Sequence, residues 1–367
     1  MLPRPVSYWE YLRLEELLAL QGGVERDERA LSNDEILFIS VHQVYELWFK
    51  LIHRELVTAR NLFIADPVAE QQLSGAVRSL KRVSAILRIA ADHFEVMETL
   101  TTREFLAFRD KLLPASGFQS AQMRQIEILL GLLEAERAPI GLQEGWKDAL
   151  RGKDGKSTPA LARIEGQIAD RPTLKDAIDE WLFRTPIDGS DHQGADSPTR
   201  LAEFLRAFLA AHASEIDATA ERSVSIAKSP ADAASVRARY EAEKTSVRAF
   251  FAPEEKEGGA RRARIRAAML FIETYRELPL LAWPREVLDG LVELEQLFVI
   301  FRQRHARMVE RVIGRRTGTG GSSGVDYLDA TTKYRIFRDL WAIRTLQIRR
   351  SAAPELRHAE FYGFRSG

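Results

Sequence analysis

Apolar residues recur along most of this chain at spacings of three and four, the period of one helix face. Stretches with the strict alternation of a half-buried strand are few and short. The pattern predicts an all-α protein. Ser32-Asn33-Asp34-Glu35 has capping-box spacing and opens an apolar-periodic run to about Phe63. A second helix is expected from about Gly75 to Glu98. Thr101-Thr102-Arg103-Glu104 offers another capping box, for a short helix ending before Pro114. Ser116 or Ser120 caps the next, which is expected to run to about Glu136. Helix returns at 260–278, and Pro284 suits the first turn of one reaching about Ile313, roughly 45 Å at 1.5 Å per residue. A last helix is expected from about Ala330 to Arg350.

From about Pro139 to Ala260 the texture changes. Gly, Pro, Asp and Ser cluster in residues 151–160, in 186–198 and near Glu257-Gly258-Gly259, with helical pieces near 161–184 and 199–250. This reads as an inserted helical region of looser design within a single all-helical domain spanning 1–367. There is no internal repeat.

Two of the apolar stripes contain a histidine. Phe38, Val41, His42, Tyr45, Phe49 and Ile52 share one face of the first long helix. Leu294, Leu297, Phe298, Phe301, His305, Met308, Val309 and Val312 share one face of the helix at 284–313. A buried imidazole needs partners for its nitrogens. A backbone carbonyl can supply one, and periodicity alone does not separate that arrangement from a cofactor site. The helix-borne zinc pattern His-Glu-x-x-His is absent. Lone histidines among aromatic and aliphatic residues suit a large apolar cofactor better than a bare metal. Haem iron fits, since it needs one strong protein ligand while a second histidine can stand across the ring.

Arg109 follows Phe105 by four residues and precedes Leu112 by three, so it points to the apolar side of its short helix. A buried guanidinium requires an anion, and its planar fork matches a carboxylate. An internal salt bridge, or a stem snorkelling to solvent, explains the same pattern. Residues 314–324, GRRTGTGGSSG, hold five glycines in eleven positions. The loop matches neither a P-loop nor Gly-x-Gly-x-x-Gly. It can offer N–H and hydroxyl groups to an anion, or be a plain linker. It starts about two turns after His305, near whatever that residue binds.

Composition narrows the function classes. Lys plus Arg and Asp plus Glu both number 53, and the zero balance removes the electrostatic argument for nucleic acid or an anionic membrane. The cluster Arg261, Arg262, Arg264 and Arg266 reads as a solvated helix face. Absence of cysteine excludes disulfides, thiolate metal sites and a cysteine nucleophile. No apolar run approaches the ~18 residues of a membrane span, and none near the N-terminus has signal-peptide form. A cytoplasmic protein is expected.

Taken together, residues 34–56 (DEILFISVHQVYELWFKLIHREL), 108–120 (FRDKLLPASGFQS), 305–314 (HARMVERVIG) and 318–324 (GTGGSSG) resemble the tryptophan 2,3-dioxygenase family. The looser likeness includes 8–18, 181–186 and 266–284. The resemblance implies a helical, haem b-dependent oxidoreductase that uses O2 to cleave the indole C2–C3 bond of L-tryptophan, giving N-formylkynurenine. It also implies a homotetramer. Position by position, it implies that His305 is the axial ligand of haem iron and that His42 is the distal residue bonding the indole N–H. Arg109 matches the partner of the substrate carboxylate, and Thr319 the loop residue at the ammonium and carboxylate end. Phe38 and Phe105 match pocket walls, and Ser116 a serine beside a haem propionate. Tyr8, Tyr11 and Leu12 match a segment completing a neighbouring subunit's pocket. Trp9 stands where the family usually has glycine. A haem oxygenase acting on a substituted tryptophan stays open as an alternative, as does a non-enzymatic haem sensor.

Overall fold

A computed structural model describes residues 6–112, 117–138, 147, 150–151, 156–254, 257–316 and 324–363. The protein is all-α. Among the described residues the only extended pairing is an isolated bridge between Ile187 and Ser190. In chain order the helices are α1 (Tyr8–Leu12), α2 (Leu14–Leu18), α3 (Asn33–Ile64), α4 (Glu70–Asp92), α5 (Phe94–Met97), α6 (Thr102–Phe108) and α7 (Ala121–Leu130). Then come α8 (Pro159–Ala169), α9 (Leu174–Arg184), α10 (Ser197–Ser225), α11 (Pro230–Phe251), α12 (Gly259–Thr274), α13 (Ala282–Ile313), α14 (Val325–Thr331) and α15 (Arg338–Thr345). Among the described residues, no helix is long and apolar enough to cross a membrane.

The chain divides into two compact units. The first comprises residues 1–56, 82–171 and 296–334. Its core is aromatic. Tyr45 of α3, Phe94 of α5 and Phe301 of α13 pack with ring centroids 5.0–6.0 Å apart. The Tyr45 hydroxyl donates to the Ala90 carbonyl at 3.0 Å, which satisfies the one polar atom of a buried ring. A satellite cluster packs α7 on α8 through Ala121, Ile128, Leu161 and Ile164, with Tyr327 from α14. Two of the caps read from the sequence form in full. Thr101 and Glu104 complete a capping box on α6. Ser120 caps α7. That helix stops at Leu130 rather than near Glu136, because Gly131 takes the left-handed conformation (φ 108°) that ends helices at low steric cost.

The second unit comprises 57–81, 172–295 and 335–367. Phe63 packs on Trp181, and Phe271 on Phe204 and Tyr362. The helical pieces expected near 199–250 are α10 and α11. Ser229 caps α11 with Pro230 in its first turn, and α10 and α11 pack on each other, with Lys244 bonded to Asp217. The expected final helix at 330–350 is divided. Buried Glu295 accepts from the backbone N–H groups of Ile336 and Phe337 and from the Trp341 indole, so the chain turns there and restarts as α15. The arginine cluster of α12 is a solvated face only in part: Arg262 is exposed and Arg261 partly so. Arg264 and Arg266 are buried. Arg264 donates to the Phe183 carbonyl and the Ser197 hydroxyl, and Arg266 to the Phe250 carbonyl while lying 4.3 Å from that ring. For these two, hydrogen bonds and a cation–π contact replace the water that an arginine cluster on a helix would suggest.

Candidate functional site

The first unit holds a cavity of about 660 Å³, within the range of small-molecule and cofactor sites. Four elements supply its chemistry: α3 brings Phe38 and His42, α13 brings Arg302 and His305, the segment from α6 brings Phe105 and Arg109, and α7 adds a charged pair. The two stripe histidines therefore meet in one space.

His42 Nδ1 lies 2.7 Å from the Phe38 carbonyl oxygen. A carbonyl can only accept, so Nδ1 carries the proton and Nε2 is left as an acceptor on the cavity wall. The side chain is accessible through the cavity it lines, yet protein atoms crowd its ring. That crowding strips water from the charged form and lowers its pKa, outweighing the Phe38 carbonyl and Glu46. His305 is more enclosed, and burial, with His42 adding repulsion, pushes it down to about 4. No hydrogen bond to either of its ring nitrogens is found among the described residues. Its ring is aligned instead by Phe94, which stacks on it with an interplanar angle of 2° and centroids 5.3 Å apart. Both imidazoles are neutral at neutral pH, and an imidazole must be neutral to ligate a metal.

Phe38 and Phe105 form an aromatic wall, and Phe108 packs against both, with the three centroids 5.5–5.9 Å apart. Arg109 caps α6 and opens a single 3₁₀ turn, Arg109–Leu112, half-buried at the cavity edge. On α7, Arg124 and Glu127 face the same cavity. Glu127 accepts from Arg124 at 2.9 Å, Arg137 at 2.6 Å and Arg302 at 3.1 Å. Burial alone would raise this carboxyl, but the three guanidiniums outweigh it and hold it at about 2.

The structure thus brings together Phe38, His42, Phe105, Arg109 and His305. Thr319 and Ser116 lie outside the described residues. Tyr8, Tyr11 and Leu12 are exposed on α1 and do not line the cavity. Sequence reading missed Arg124, Glu127 and Arg302. The first two lie three apart on α7 among Ala121, Ile128 and Leu130. The reasoning applied to Arg109 would have found them.

Among the described residues no three His, Cys, Asp or Glu side chains form a metal-holding group. The donor set at His305 is one neutral imidazole, with a second imidazole and aromatic walls sharing the space. That set fits an iron whose other ligands come from a porphyrin. The depressed His305 pKa has a consequence for protein free of bound cofactor. The folded state binds fewer protons than the unfolded state between about pH 6.5 and about 4, so this contribution is complete above that window and is lost as pH falls through it. The drop in unfolding midpoint between pH 7 and pH 5 should be smaller in His305→Phe than in the wild type. Equal drops would show that His305 titrates normally.

The family model described as tryptophan 2,3-dioxygenase matches residues 4–347. A protein named tryptophan 2,3-dioxygenase from Sorangium cellulosum is 53% identical, across 99% of this chain and 88% of its own length. One named tryptophan 2,3-dioxygenase 2 from Ralstonia nicotianae is 50% identical across 98% of both chains. A tryptophan 2,3-dioxygenase-like protein of Xanthomonas campestris is 50% identical, covering 72% of this chain and 98% of its own. A match of this length and identity, over helices that place two histidines in one cavity, means that the chain belongs to the tryptophan 2,3-dioxygenase family.

Proposed function

We propose that this protein is a haem-dependent dioxygenase that opens the indole C2–C3 bond of L-tryptophan with O2, giving N-formylkynurenine. The observation that carries the reading is the convergence of two neutral imidazoles and an arginine on one aromatic cavity. His305 would hold haem b through its iron, and Ser116 would lie beside a propionate. Haem, when bound, supplies the ferrous iron at which O2 is activated. The rest is positioning by the protein. Arg109 pairs with the substrate carboxylate, and Thr319 bonds its ammonium and carboxylate end. Phe38 and Phe105 flank the indole. His42 Nε2, the bare acceptor left by the Nδ1 bond to Phe38, takes the indole N–H. Fixing both ends of the amino acid orients the ring without further binding groups, and the apolar walls exclude water.

The exposed Tyr8, Trp9, Tyr11 and Leu18 support a homotetramer in which this segment, with Leu12, completes a neighbouring subunit's pocket. The cysteine-free sequence suits a reducing compartment, consistent with a cytoplasmic enzyme.

The test uses reduced, haem-loaded protein with L-tryptophan and isotopically labelled O2. Mass spectrometry should find N-formylkynurenine carrying two labelled oxygens. One labelled atom, or none, would overturn the dioxygenase assignment. Arg109→Ala should lose about 2–5 kcal/mol of productive binding, at least ~30-fold in kcat/KM, as when one member of a buried charged pair is removed. Binding of 3-methylindole, which has no carboxylate, should change little. Unaltered kinetics with L-tryptophan would remove Arg109 from the carboxylate site.

A further inference from the structure

The proposed substrate is held at two ends by different elements: Arg109 on the 3₁₀ turn after α6, and His42 on α3. A single 3₁₀ turn has few hydrogen bonds of its own and poorer geometry than an α-helix, so contacts from outside it help to fix its position. Two residues beyond Arg109, Lys111 leaves that turn and bonds Glu35 at 2.9 Å and Glu25 at 2.7 Å. Glu35 lies in the first turn of α3, one turn before Phe38 and two before His42. It is buried, at 6% exposure.

The use made of Glu35 departs from its local rule. Ser32 and Glu35 have capping-box spacing, and the serine half forms, with Glu35 N–H donating to Ser32 Oγ at 3.2 Å. The carboxylate is engaged by Lys111, 76 residues away in sequence. Glu25 belongs to the segment before α3, which is tied to the cavity wall a second time. The Gln43 amide, next to His42, donates to the Leu20 carbonyl at 2.9 Å and accepts from Gln21 at 2.6 Å.

Resting on the reading of the cavity given above, we infer that Lys111 is a positioning residue that sets the separation between Arg109 and His42, and so selects ligands with a carboxylate at the distance found in an α-amino acid bearing an indole. It touches no substrate. It cross-links the turn that reads one end of the ligand to the helix that reads the other. Small misplacement of a binding group costs rate out of proportion to the distance moved.

The experiment titrates haem-loaded protein with L-tryptophan and with 3-methylindole, following the haem absorption band. It also measures kcat and KM for L-tryptophan. Lys111→Met should weaken L-tryptophan binding by about tenfold, the scale expected for a displaced positioning group, and leave 3-methylindole binding within about twofold. Lys111→Arg, which keeps the cation, should restore most of the L-tryptophan affinity. Should Lys111→Met fail to fold with Glu35 left buried and uncompensated, the double variant Glu35→Gln/Lys111→Met removes that charge and is judged by the same criteria. Unchanged L-tryptophan binding in the variant would overturn the inference. Equal weakening of both ligands would do so too, since a merely structural role predicts it. If the wild type itself fails to respond to L-tryptophan, the reading of the cavity falls and this role falls with it. A responsive wild type with an equally responsive variant removes Lys111 alone.

Discussion

Replacing His305 by alanine is expected to give a folded protein that does not retain haem. The fold should survive because the imidazole makes no hydrogen bond among the described residues, so its loss strands no buried partner. What is lost is one ring packed against Phe94 and Phe301, in a cavity that is already open. The proposed iron ligand goes with it, and no cluster of other donors among the described residues replaces it. Purified His305→Ala should lack the haem absorption band while its helical circular dichroism matches the wild type. His305→Gly with added free imidazole should recover the band, since the small molecule can occupy the vacated space and donate the same nitrogen. His42→Ala should keep the band and lose affinity for L-tryptophan. Wild-type haem content in His305→Ala would refute the proposed role of His305 as iron ligand, and loss of haem in His42→Ala alone would exchange the two assignments.

The stripes that carry these histidines were legible because a long helix with one buried face repeats its apolar residues at a fixed period. Thirty-two-residue α3 and α13 give that signal many times over. Arg109 was legible for the same reason, as a charge on an apolar face. What the period could not show was tertiary partnership. Nothing local to Lys111 marks Glu35 as its partner, and nothing in residues 330–350 announces that Glu295 would claim the Ile336 and Phe337 N–H groups. Arg264 and Arg266 of α12 depart from the solvated face expected because charge on a helix usually means water. Here Phe183 and Phe250 accept the guanidiniums. The roles proposed for Thr319 and Ser116 rest on family resemblance, since both lie outside the described residues.

The charged cluster on the cavity wall leads to the largest expected change in stability. Glu127 is 3% exposed in its side chain and is bonded by three arginines whose side chains are themselves 6–11% exposed. Unit charges about 4 Å apart interact by roughly 4 kcal/mol at an effective dielectric near 20, so one carboxylate holds three cations that would otherwise repel each other. Removing one member of a buried ionic group typically costs about 3–5 kcal/mol, because the remaining charge stays buried. Glu127→Gln keeps the side-chain shape and should show that cost in denaturant unfolding. Glu127→Ala should cost more by adding a void beside the cavity. The acid limb separates this charge effect from packing. The Glu127 carboxyl sits at about 2 against an ordinary value near 4.5, so its contribution is complete above about pH 4.5 and is lost as pH falls toward 2. Wild type should therefore lose stability over that range faster than Glu127→Gln, and the two curves should converge in acid. Parallel curves would mean that the carboxylate is not held by its arginines. Because Arg124, Glu127 and Arg302 all line the cavity, Glu127→Gln should also weaken ligand binding there, and Lys244→Met in the α10–α11 pair, which loses a surface ion pair to Asp217, should not. That contrast ties the stability of α7 and α13 to the shape of the site they enclose.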